Sequence, residues 1–178
     1  MIKDCEKKII DFNKLITQKF EASITYEFTA QTFKLTDIDC FTSYLIQKFF
    51  INYSEDFQYS IEIILKEGIL NAFYHGNFNM DSKIKETENG FEIFNNLFLE
   101  KQKDEKYNSK KVALKIVITK NKIFIKIKDE GDGFRYSDLK FNNYKPYGRG
   151  IKLIIINSNK VYWNQTGNQI IIEKNTDG

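Results

Sequence analysis

Three polar side chains recur at helical spacing in the first half of the sequence and could form a metal-phosphate site. Glu67, Asn71 and His75 stand at positions i, i+4 and i+8, which places neighbours about 6 Å apart along one side of a helix. The carboxamide oxygen of Asn71 is a hard ligand for Mg²⁺, and the carboxylate of Glu67 can polarise an attacking hydroxyl group. The alternative is an exposed polar stripe without a chemical role.

A second polar segment, DEGDGF at residues 129–134, follows a stretch of strong β character. Because Asp129 comes where the strand is expected to end, its carboxylate can face a crevice and accept a hydrogen bond from an exocyclic amine such as N6 of adenine. Gly131 and Gly133 permit positive φ angles and a close approach of the backbone to a ring. The alternatives are a simple acidic turn and a calcium loop, although the ligand spacing of an EF-hand is missing.

A third segment, YGRGIKL at residues 147–153, opens a predicted helix with two glycines. Glycines before a helix N-terminus leave amide donors exposed where the helix dipole favours anions, so the segment could hold phosphate groups. It is neither a dinucleotide-binding GxGxxG nor a Walker P-loop. The alternative is a loop that only caps the helix.

The order and spacing of these three segments resemble the N, G1 and G2 boxes of the GHKL ATPases, which share the Bergerat fold. Within that superfamily the sequence is most similar to the anti-sigma-factor serine kinases. The similarity lies in ExxxNAxxHGN at residues 67–77, the short segment before the third box, and GRG at residues 148–150 ahead of an apolar helix. VYWNQTGNQI at residues 161–170 resembles the closing hairpin of this type, so the resemblance covers residues 22–174.

The resemblance implies a role for each residue of the boxes. Glu67 would be the general base toward water or a protein serine, and Asn71 would be the Mg²⁺ ligand in a complex with ATP. His75 corresponds to a position near the phosphates or the lid, and Asp129 would bind the adenine amine, helped by a water. The remaining expected nucleotide contacts are Gly131, Gly133 and Phe134 in the adenine pocket, Gly148, Arg149 and Gly150 at the phosphate edge, and Asn168 in the last hairpin.

Two positions bear on how far the resemblance extends. Asn168 stands where the family has a threonine that supports the water network beside adenine, and asparagine can also donate and accept hydrogen bonds. His75 is the one histidine of the chain, so the separate phosphoacceptor histidine of a complete sensor histidine kinase is missing. A hydrogen-bonded structural role for His75 is the alternative to a role at the phosphates.

The apolar periodicity predicts an α+β fold, a two-layer sandwich with a mixed, mostly antiparallel sheet and helices on one face. The predicted helices cover residues 2–20, 37–51 (capped by Thr36 or Asp37), 56–76 and 90–102, with a further one that starts near Gly150. The predicted strands cover residues 24–34, 112–118, 123–128, 161–164 and 169–174, of which the second and third form a hairpin. Residues 77–89 and 101–111 are expected to be turns and loop.

The expected domain organisation is an N-terminal amphipathic helix over residues 1–21 and a histidine kinase-like ATP-binding domain over residues 22–178. Within the domain, residues 79–111 resemble an insertion seen in many bacterial members of the family, and residues 135–147 would be the ATP lid. The apolar face of the N-terminal helix is expected to pack on the domain. The alternative is that it forms a homodimer or a partner contact.

The composition indicates which kinds of binding partner and which cellular compartment to expect. The chain has 178 residues, with 27 basic and 24 acidic side chains interspersed along it, so nucleic-acid binding is not expected. Cys5 and Cys40 form no metal pattern and are expected to be free thiols in a reducing cytosol. The start of the chain has no apolar signal-peptide core, and no apolar run is long enough to cross a bilayer. These features predict a soluble, cytoplasmic protein without a membrane partner.

The function that the resemblance implies is that of a regulatory serine/threonine protein kinase. Such a protein would bind ATP with Mg²⁺, transfer the γ-phosphate to a small antagonist protein, and sequester a partner such as a sigma-like regulator. The alternative from another class is an interaction module in which ATP sets conformation and partner affinity without turnover. A slow ATPase within a signalling complex is a third option.

Overall fold

A five-stranded sheet forms one layer of the molecule. In the computed structural model, the described residues are 20–134 and 149–176. The strand order is β1-β2-β3-β5-β4. All four pairs of neighbouring strands are antiparallel, so the expected mixed sheet is antiparallel in the described part of the chain. The strands are β1 (Phe20–Thr29), β2 (Lys111–Thr119), β3 (Lys122–Asp129), β4 (Lys160–Trp163) and β5 (Gln169–Asn175).

The helices follow from the apolar periodicity but contain wider and tighter turns than predicted. Helix α1 (Ile38–Leu45) follows a 3₁₀ turn (Leu35–Asp37) and continues as a π-helical turn (Ile46–Phe50). Helix α2 (Glu55–Asn71) also continues as a π-helical turn (Ala72–Asn77), and the Ser54 side chain caps it by accepting a hydrogen bond from Phe57 N. The others are α3 (Gly90–Lys101), α4 (Glu105–Asn108) and α5 (Gly150–Ile156).

The main hydrophobic core lies between the helices and one face of the sheet. Alternation along β2 turns Val112, Leu114 and Ile116 into this core, where they are fully buried. Gly68 of α2 lies against the Ile127 side chain of β3, so this helix and this strand approach each other closely. Among the described residues, the opposite face of the sheet carries a small cluster of strand residues. The predicted α+β fold is therefore confirmed, with the helices of the described residues on one face.

Three predicted boundaries are wrong. Residues 20 and 21 belong to β1, so the expected N-terminal helix does not reach them, and residues 1–19 lie outside the described residues. Strand β1 ends at Thr29 and not at residue 34, because Thr29 and Thr32 bond to each other in a turn. Neither Thr36 nor Asp37 caps a helix through its side chain, because the chain enters α1 through a 3₁₀ turn.

The predicted turn and loop of the insertion contain helical structure. Residues 77–89 include a 3₁₀ helix (Ser82–Glu86), whose start is stabilised by a hydrogen bond from Lys83 N to the Asp81 carboxylate. Residues 101–111 include α4, where the Asp104 carboxylate accepts a hydrogen bond from Lys106 N. The prediction of turns and loop missed both helical turns, although aspartate is a preferred N-cap residue.

In the described residues, no helix is long and apolar enough to cross a membrane. Cys40 is a free, exposed thiol, and Cys5 lies outside the described part of the chain.

Candidate active site

The first and third boxes meet at Gly150. A Cβ atom at Gly150 would lie 2.6 Å from Glu67 Oε2 and 3.0 Å from Asn71 Nδ2, both from α2. No side chain larger than hydrogen fits there without moving these two polar groups. The carboxylate, the carboxamide and the start of α5 are therefore in direct apposition, although Asn71 and Gly150 are 79 positions apart in the sequence.

The first and second boxes meet at Gly76. A Cβ atom at Gly76 would lie 2.5 Å from Asp129 Oδ1 and 2.8 Å from Oδ2. Gly131 in turn lies against the backbone of Gly76. The missing side chains of these glycines let the end of the first box and the turn after β3 pack backbone against backbone, which brings the Asp129 carboxylate to the helix.

Two glycines with positive φ join the second box to the closing hairpin. Gly133 has a φ of 75° and lies against Thr166 O. Gly167 has a φ of 87°, and a Cβ atom placed on it would lie 2.6 Å from Phe134 N. L-residues with side chains rarely adopt such φ angles. The Phe134 ring meets Trp163 of β4 edge to face at a centroid distance of 6.2 Å.

These contacts surround a cleft of about 350 Å³. A small-molecule site typically combines this kind of volume with mostly apolar walls and a few polar groups. Among the residues expected to bind the nucleotide, the cleft is lined by Asn71, His75, Asp129, Gly133, Phe134 and Gly150. The lining does not include Glu67, Gly131, Arg149 or Asn168, although Glu67 and Gly131 touch lining residues. Gly148 and the expected lid over residues 135–147 lie outside the described residues.

Asp129 is a perturbed carboxyl group in this cleft. Burial raises the pKa of Asp129 from 3.8 to about 6, against the opposing effects of the hydrogen bond from Gly131 N and of the charges of Lys110 and Lys128. Its Oδ1 accepts the bond from Gly131 N at 2.8 Å. No hydrogen bond from another residue to Oδ2 is found among the described residues, so this oxygen can accept one from a ligand donor. A buried acceptor of this kind favours an N–H group over a carbonyl.

Glu67 is half-buried, and burial raises the pKa of its carboxyl group, while the charges of Lys66 and Lys85 act in the opposite direction. Lys66 is also paired with Asp39 of α1. A carboxylate with a raised pKa is a better proton acceptor than an exposed one.

Asn71 carries the unsatisfied polar atom of the site. Its Nδ2 atom is buried and has no hydrogen-bond partner among the described residues. A half-turn of the amide presents the oxygen at the same place, so the group can offer either a donor or an acceptor. No group of three or more histidine, cysteine, aspartate or glutamate side chains in the described residues could hold a metal by itself. An amide oxygen at this place is of the hard-ligand type that Mg²⁺ takes from proteins, usually together with substrate phosphates.

His75 is tied to the backbone of the insertion. Its Nδ1 atom lies 2.6 Å from Met80 O, so this nitrogen carries the hydrogen and donates it. Desolvation of the ring lowers the pKa of His75, against the effect of that hydrogen bond, and the ring is neutral at pH 7. The expected i, i+8 relation to Glu67 is changed, because the helix widens into a π turn after Asn71. His75 therefore combines a structural bond with a place in the cleft lining.

Asn77 is a buried connector that sequence analysis did not single out. Its Nδ2 donates to Lys110 O and Lys111 O, each at 3.2 Å, and its Oδ1 accepts from Glu130 N at 2.9 Å. The side chain is fully buried. It fixes the first box to the start of β2 and to the turn after Asp129.

We expect Asn77→Ala to lower the free energy of unfolding by about 1–3 kcal/mol, because buried donors and acceptors lose their partners. Urea unfolding followed by circular dichroism measures the change. Asn95→Ala, at an exposed position of α3, is the matched control and should change the free energy by less than about 0.5 kcal/mol. Equal effects of the two substitutions would show that the Asn77 connections contribute nothing.

Asn168 forms hydrogen bonds with the backbone of Asp129. The Asp129 amide donates to Asn168 O at 3.0 Å, and Asn168 Nδ2 donates to Asp129 O at 3.3 Å. Asn164 Nδ2 donates to Asn168 Oδ1 at 2.7 Å. The amide of Asn168 is thus engaged within the protein, and the residue supports the second box from the closing hairpin.

Several cleft residues were not identified from the sequence. Trp163, Ser82 and Gln169 line the cleft, and so do the apolar residues Gly68, Ala72, Ile127, Ile151, Ile154 and Ile170. Trp163 could have been selected from the sequence, because it is the one tryptophan of the chain and precedes a turn that contains a glycine. Ser82 gave no signal, because only the fold of the insertion brings it to the cleft.

We expect Gly150→Ala to weaken the binding of adenine nucleotides without lowering stability. The added Cβ displaces the ends of two side chains, Glu67 and Asn71, and not backbone, while alanine favours a helix more than glycine does. A loss of about 1 kcal/mol, or about fivefold in affinity, is the expected size. Titration calorimetry measures the nucleotide affinity, and thermal unfolding measures the stability. Tighter or unchanged binding would contradict the apposition at Gly150.

In comparisons with known proteins, no protein-family model matches the chain, and no curated protein matches its sequence.

Proposed function

We propose that the protein binds ATP with Mg²⁺ and is a regulatory serine/threonine protein kinase of the anti-sigma-factor type with a Bergerat fold. The observation that carries the proposal is the convergence of three distant segments on one cleft. Glu67 and Asn71 lie against Gly150, and Asp129 lies against Gly76. Convergence of this kind is what the resemblance of the three boxes requires, and an unrelated arrangement of polar stripe, acidic turn and capping loop would not require it.

Two groups of residues at the cleft suit different parts of a nucleotide. Asp129, which lies against Gly76, can accept a hydrogen bond from an exocyclic amine, and Phe134 and Trp163 supply apolar surface for a ring. Asn71 and Glu67, which lie against Gly150, offer an amide oxygen and a carboxylate with a raised pKa. Bound Mg²⁺ would supply charge neutralisation on the phosphates, and the residues of the chain would hold it, orient the nucleotide and accept a proton.

Glu67 favours a kinase over a module that only binds ATP. The residue is half-buried, and its pKa is raised by that burial although the charges of Lys66 and Lys85 oppose the effect, and no ion pair of Glu67 is found among the described residues. A binding module has no need for a proton acceptor beside its metal ligand. What supports a protein serine or threonine as the acceptor, an antagonist as the substrate and a sigma-like regulator as the sequestered partner is the similarity of ExxxNAxxHGN to that kinase type.

Thermal unfolding with ATP, ADP or GTP, each with and without Mg²⁺, tests the binding part of the proposal. At a ligand concentration of about 100 Kd, we expect the adenine nucleotides to raise Tm by about 5–10 °C, and Mg²⁺ to enlarge the shift with ATP. GTP should have little effect, because guanine presents a carbonyl where adenine presents an amine. Equal shifts with ATP and GTP, or none with either, would contradict the proposal.

Incubation with γ-labelled ATP and co-purified proteins then separates the kinase from the module. Label on a second protein supports phosphoryl transfer. Nucleotide-dependent binding of a partner without label favours the non-catalytic module, and release of labelled phosphate alone favours a slow ATPase.

A further inference from the structure

A histidine and a serine in the wall of the cleft keep polar atoms that no other residue engages. His75 belongs to the π-helical turn Ala72–Asn77, and Ser82 begins the 3₁₀ helix Ser82–Glu86 of the insertion. Both residues line the cleft. No hydrogen bond to His75 Nε2 or to the Ser82 hydroxyl group is found among the described residues. The two groups are therefore available to a ligand in the cleft.

The backbone of Met80 connects these two residues and fixes the histidine ring. His75 Nδ1 lies 2.6 Å from Met80 O, and Met80 N donates to Tyr74 O at 2.7 Å. The segment is thus joined to the first box by two hydrogen bonds. Ser82 follows Met80 by two residues, so the same piece of backbone positions the ring and the hydroxyl group.

The bond to Met80 decides what His75 offers to a ligand. A carbonyl oxygen only accepts hydrogen bonds, so Nδ1 carries the hydrogen. The ordinary pKa of histidine, about 6.5, leaves the ring mostly neutral above pH 7, and desolvation lowers the pKa of His75 further. Nε2 of this tautomer has a lone pair and no hydrogen. It accepts from an O–H or N–H group and does not bind phosphate oxygens, which are acceptors as well.

His75 stays accessible although protein atoms surround its ring. The surrounding atoms desolvate the ring and so lower its pKa, yet the residue is exposed. A place in the wall of an open cleft accounts for both observations, because packed atoms lie behind the ring and the cleft lies before it. A ligand in the cleft can therefore reach the ring.

The helix places His75 between the two groups of residues that the proposed function assigns to the phosphates and to adenine. Asn71, which lies against Gly150, comes four residues earlier, about one helical turn back. Gly76, the next residue, lies against the Asp129 carboxylate. The sugar of a nucleotide joins its base to its phosphates. A nucleotide that contacts both Asp129 and Asn71 thus brings its sugar hydroxyl groups, which are donors, to the histidine.

We propose that His75 Nε2 and the Ser82 hydroxyl group bind the ribose hydroxyl groups, so that the site prefers ribonucleotides to nucleotides that lack them. The inference rests on the proposed function, because it assigns residues to the sugar of the same nucleotide. It gives His75 a different place from the phosphate or lid position that the resemblance implies. The serine hydroxyl group both donates and accepts, so it pairs with the ribose hydroxyl group that does not donate to Nε2.

The test compares Mg·ATP with Mg·2′,3′-dideoxy-ATP, which lacks both ribose hydroxyl groups, by titration calorimetry on the full chain. We expect the wild-type protein to bind ATP about tenfold more tightly, because a site that hydrogen-bonds a hydroxyl group rejects an analogue without it. His75→Asn keeps an amide donor for Met80 O and removes Nε2, and Ser82→Ala removes the hydroxyl group. Each substitution should reduce the preference for ATP about threefold, and the double variant should show none.

Ser109→Ala is the matched control for Ser82→Ala. Ser109 is an exposed serine of the same insertion, and its hydroxyl group donates to Glu105 O. The substitution removes the same atom, and we expect the ratio of the two affinities to stay at its wild-type value. Thermal unfolding without nucleotide shows whether each variant is folded. If His75→Asn is not folded, Ser82→Ala decides the test, since it leaves the bond between His75 and Met80 in place.

The outcomes separate the inference from the proposed function. A wild-type protein that binds ATP and the dideoxy analogue equally would overturn the inference while leaving nucleotide binding intact. Equal losses for both nucleotides in the folded variants would also overturn it, because His75 and Ser82 would then act on a part that the two nucleotides share. A wild-type protein that binds neither nucleotide would overturn the proposed function, and the inference with it.

Discussion

Replacing Asp129 with asparagine is expected to weaken ATP binding by about 10- to 100-fold, the size of a lost hydrogen bond to a charged group. The carboxylate has two acceptor atoms, one of which accepts from Gly131 N. A carboxamide has one acceptor and one donor. If its oxygen keeps the bond to Gly131, its NH₂ group faces the adenine amine, so that two donors meet. If the amide turns, the buried amide of Gly131 loses its partner.

The same substitution is expected to stabilise the protein in the absence of nucleotide at neutral and alkaline pH. Since burial raises the pKa of Asp129 to about 6, the folded state binds more protons than the unfolded state between about pH 4 and pH 6. The free energy of unfolding therefore falls as the pH rises through this window. Asparagine removes that cost, which is at most about 3 kcal/mol above pH 7.

Urea unfolding at pH 4 and pH 8, together with titration calorimetry at pH 8, measures both effects. The stability gain of Asp129→Asn should be present at pH 8 and should vanish near pH 4. Asp132→Asn is the matched control, since this residue is in the same turn and exposed. A gain of equal size at both pH values would show that Asp129 is not the group that titrates, and full affinity for ATP would remove it from the adenine pocket.

The pH dependence of ATP binding gives a further check on the role of the Asp129 carboxylate. In the wild-type protein, ATP affinity should fall as the pH decreases below about 6, because the protonated carboxyl group accepts a hydrogen bond less well than the carboxylate. Binding by Asp129→Asn should lack this component.

The parts of the fold that sequence analysis predicted are those with local signals. Alternation of apolar residues predicted the hairpin of β2 and β3, and the pairing of Ile116 with Ile125 follows from it. The spacing of Glu67 and Asn71 predicted that both lie on one side of α2, and both reach Gly150. These features depend on neighbours within a few residues, so the sequence contains the needed information.

The rest of the site depends on long-range packing. The place of Ser82 in the cleft lining depends on the packing of its 3₁₀ helix, whose backbone at residues 84 and 85 lies against Gly90, and this contact has no local sequence pattern. The bonds of Asn77 join residues 33 and 53 positions further along the chain. The π turns after α1 and α2 could not be predicted either, because the spacing of their apolar residues fits an ordinary α-helix equally well.

Replacing Glu67 with glutamine is expected to separate nucleotide binding from chemistry. Glutamine has nearly the same shape, so its contact with Gly150 and the place of Asn71 should be preserved, and ATP affinity should change by less than about twofold. It cannot accept a proton at neutral pH. Phosphoryl transfer to a protein acceptor, or hydrolysis of ATP, should therefore fall by about 10²- to 10⁴-fold, the usual contribution of a general base.

Single-turnover assays with γ-labelled ATP measure the rate, and calorimetry on the same sample measures affinity. Glu62→Gln, five residues earlier on α2, changes the net charge equally and should retain the wild-type rate. If Glu67 is the base, the wild-type rate should rise with pH through the raised pKa of its carboxyl group, and the residual rate of Glu67→Gln should not. A rate unchanged by Glu67→Gln would show that Glu67 is not the general base and that its carboxylate is not needed for the transfer.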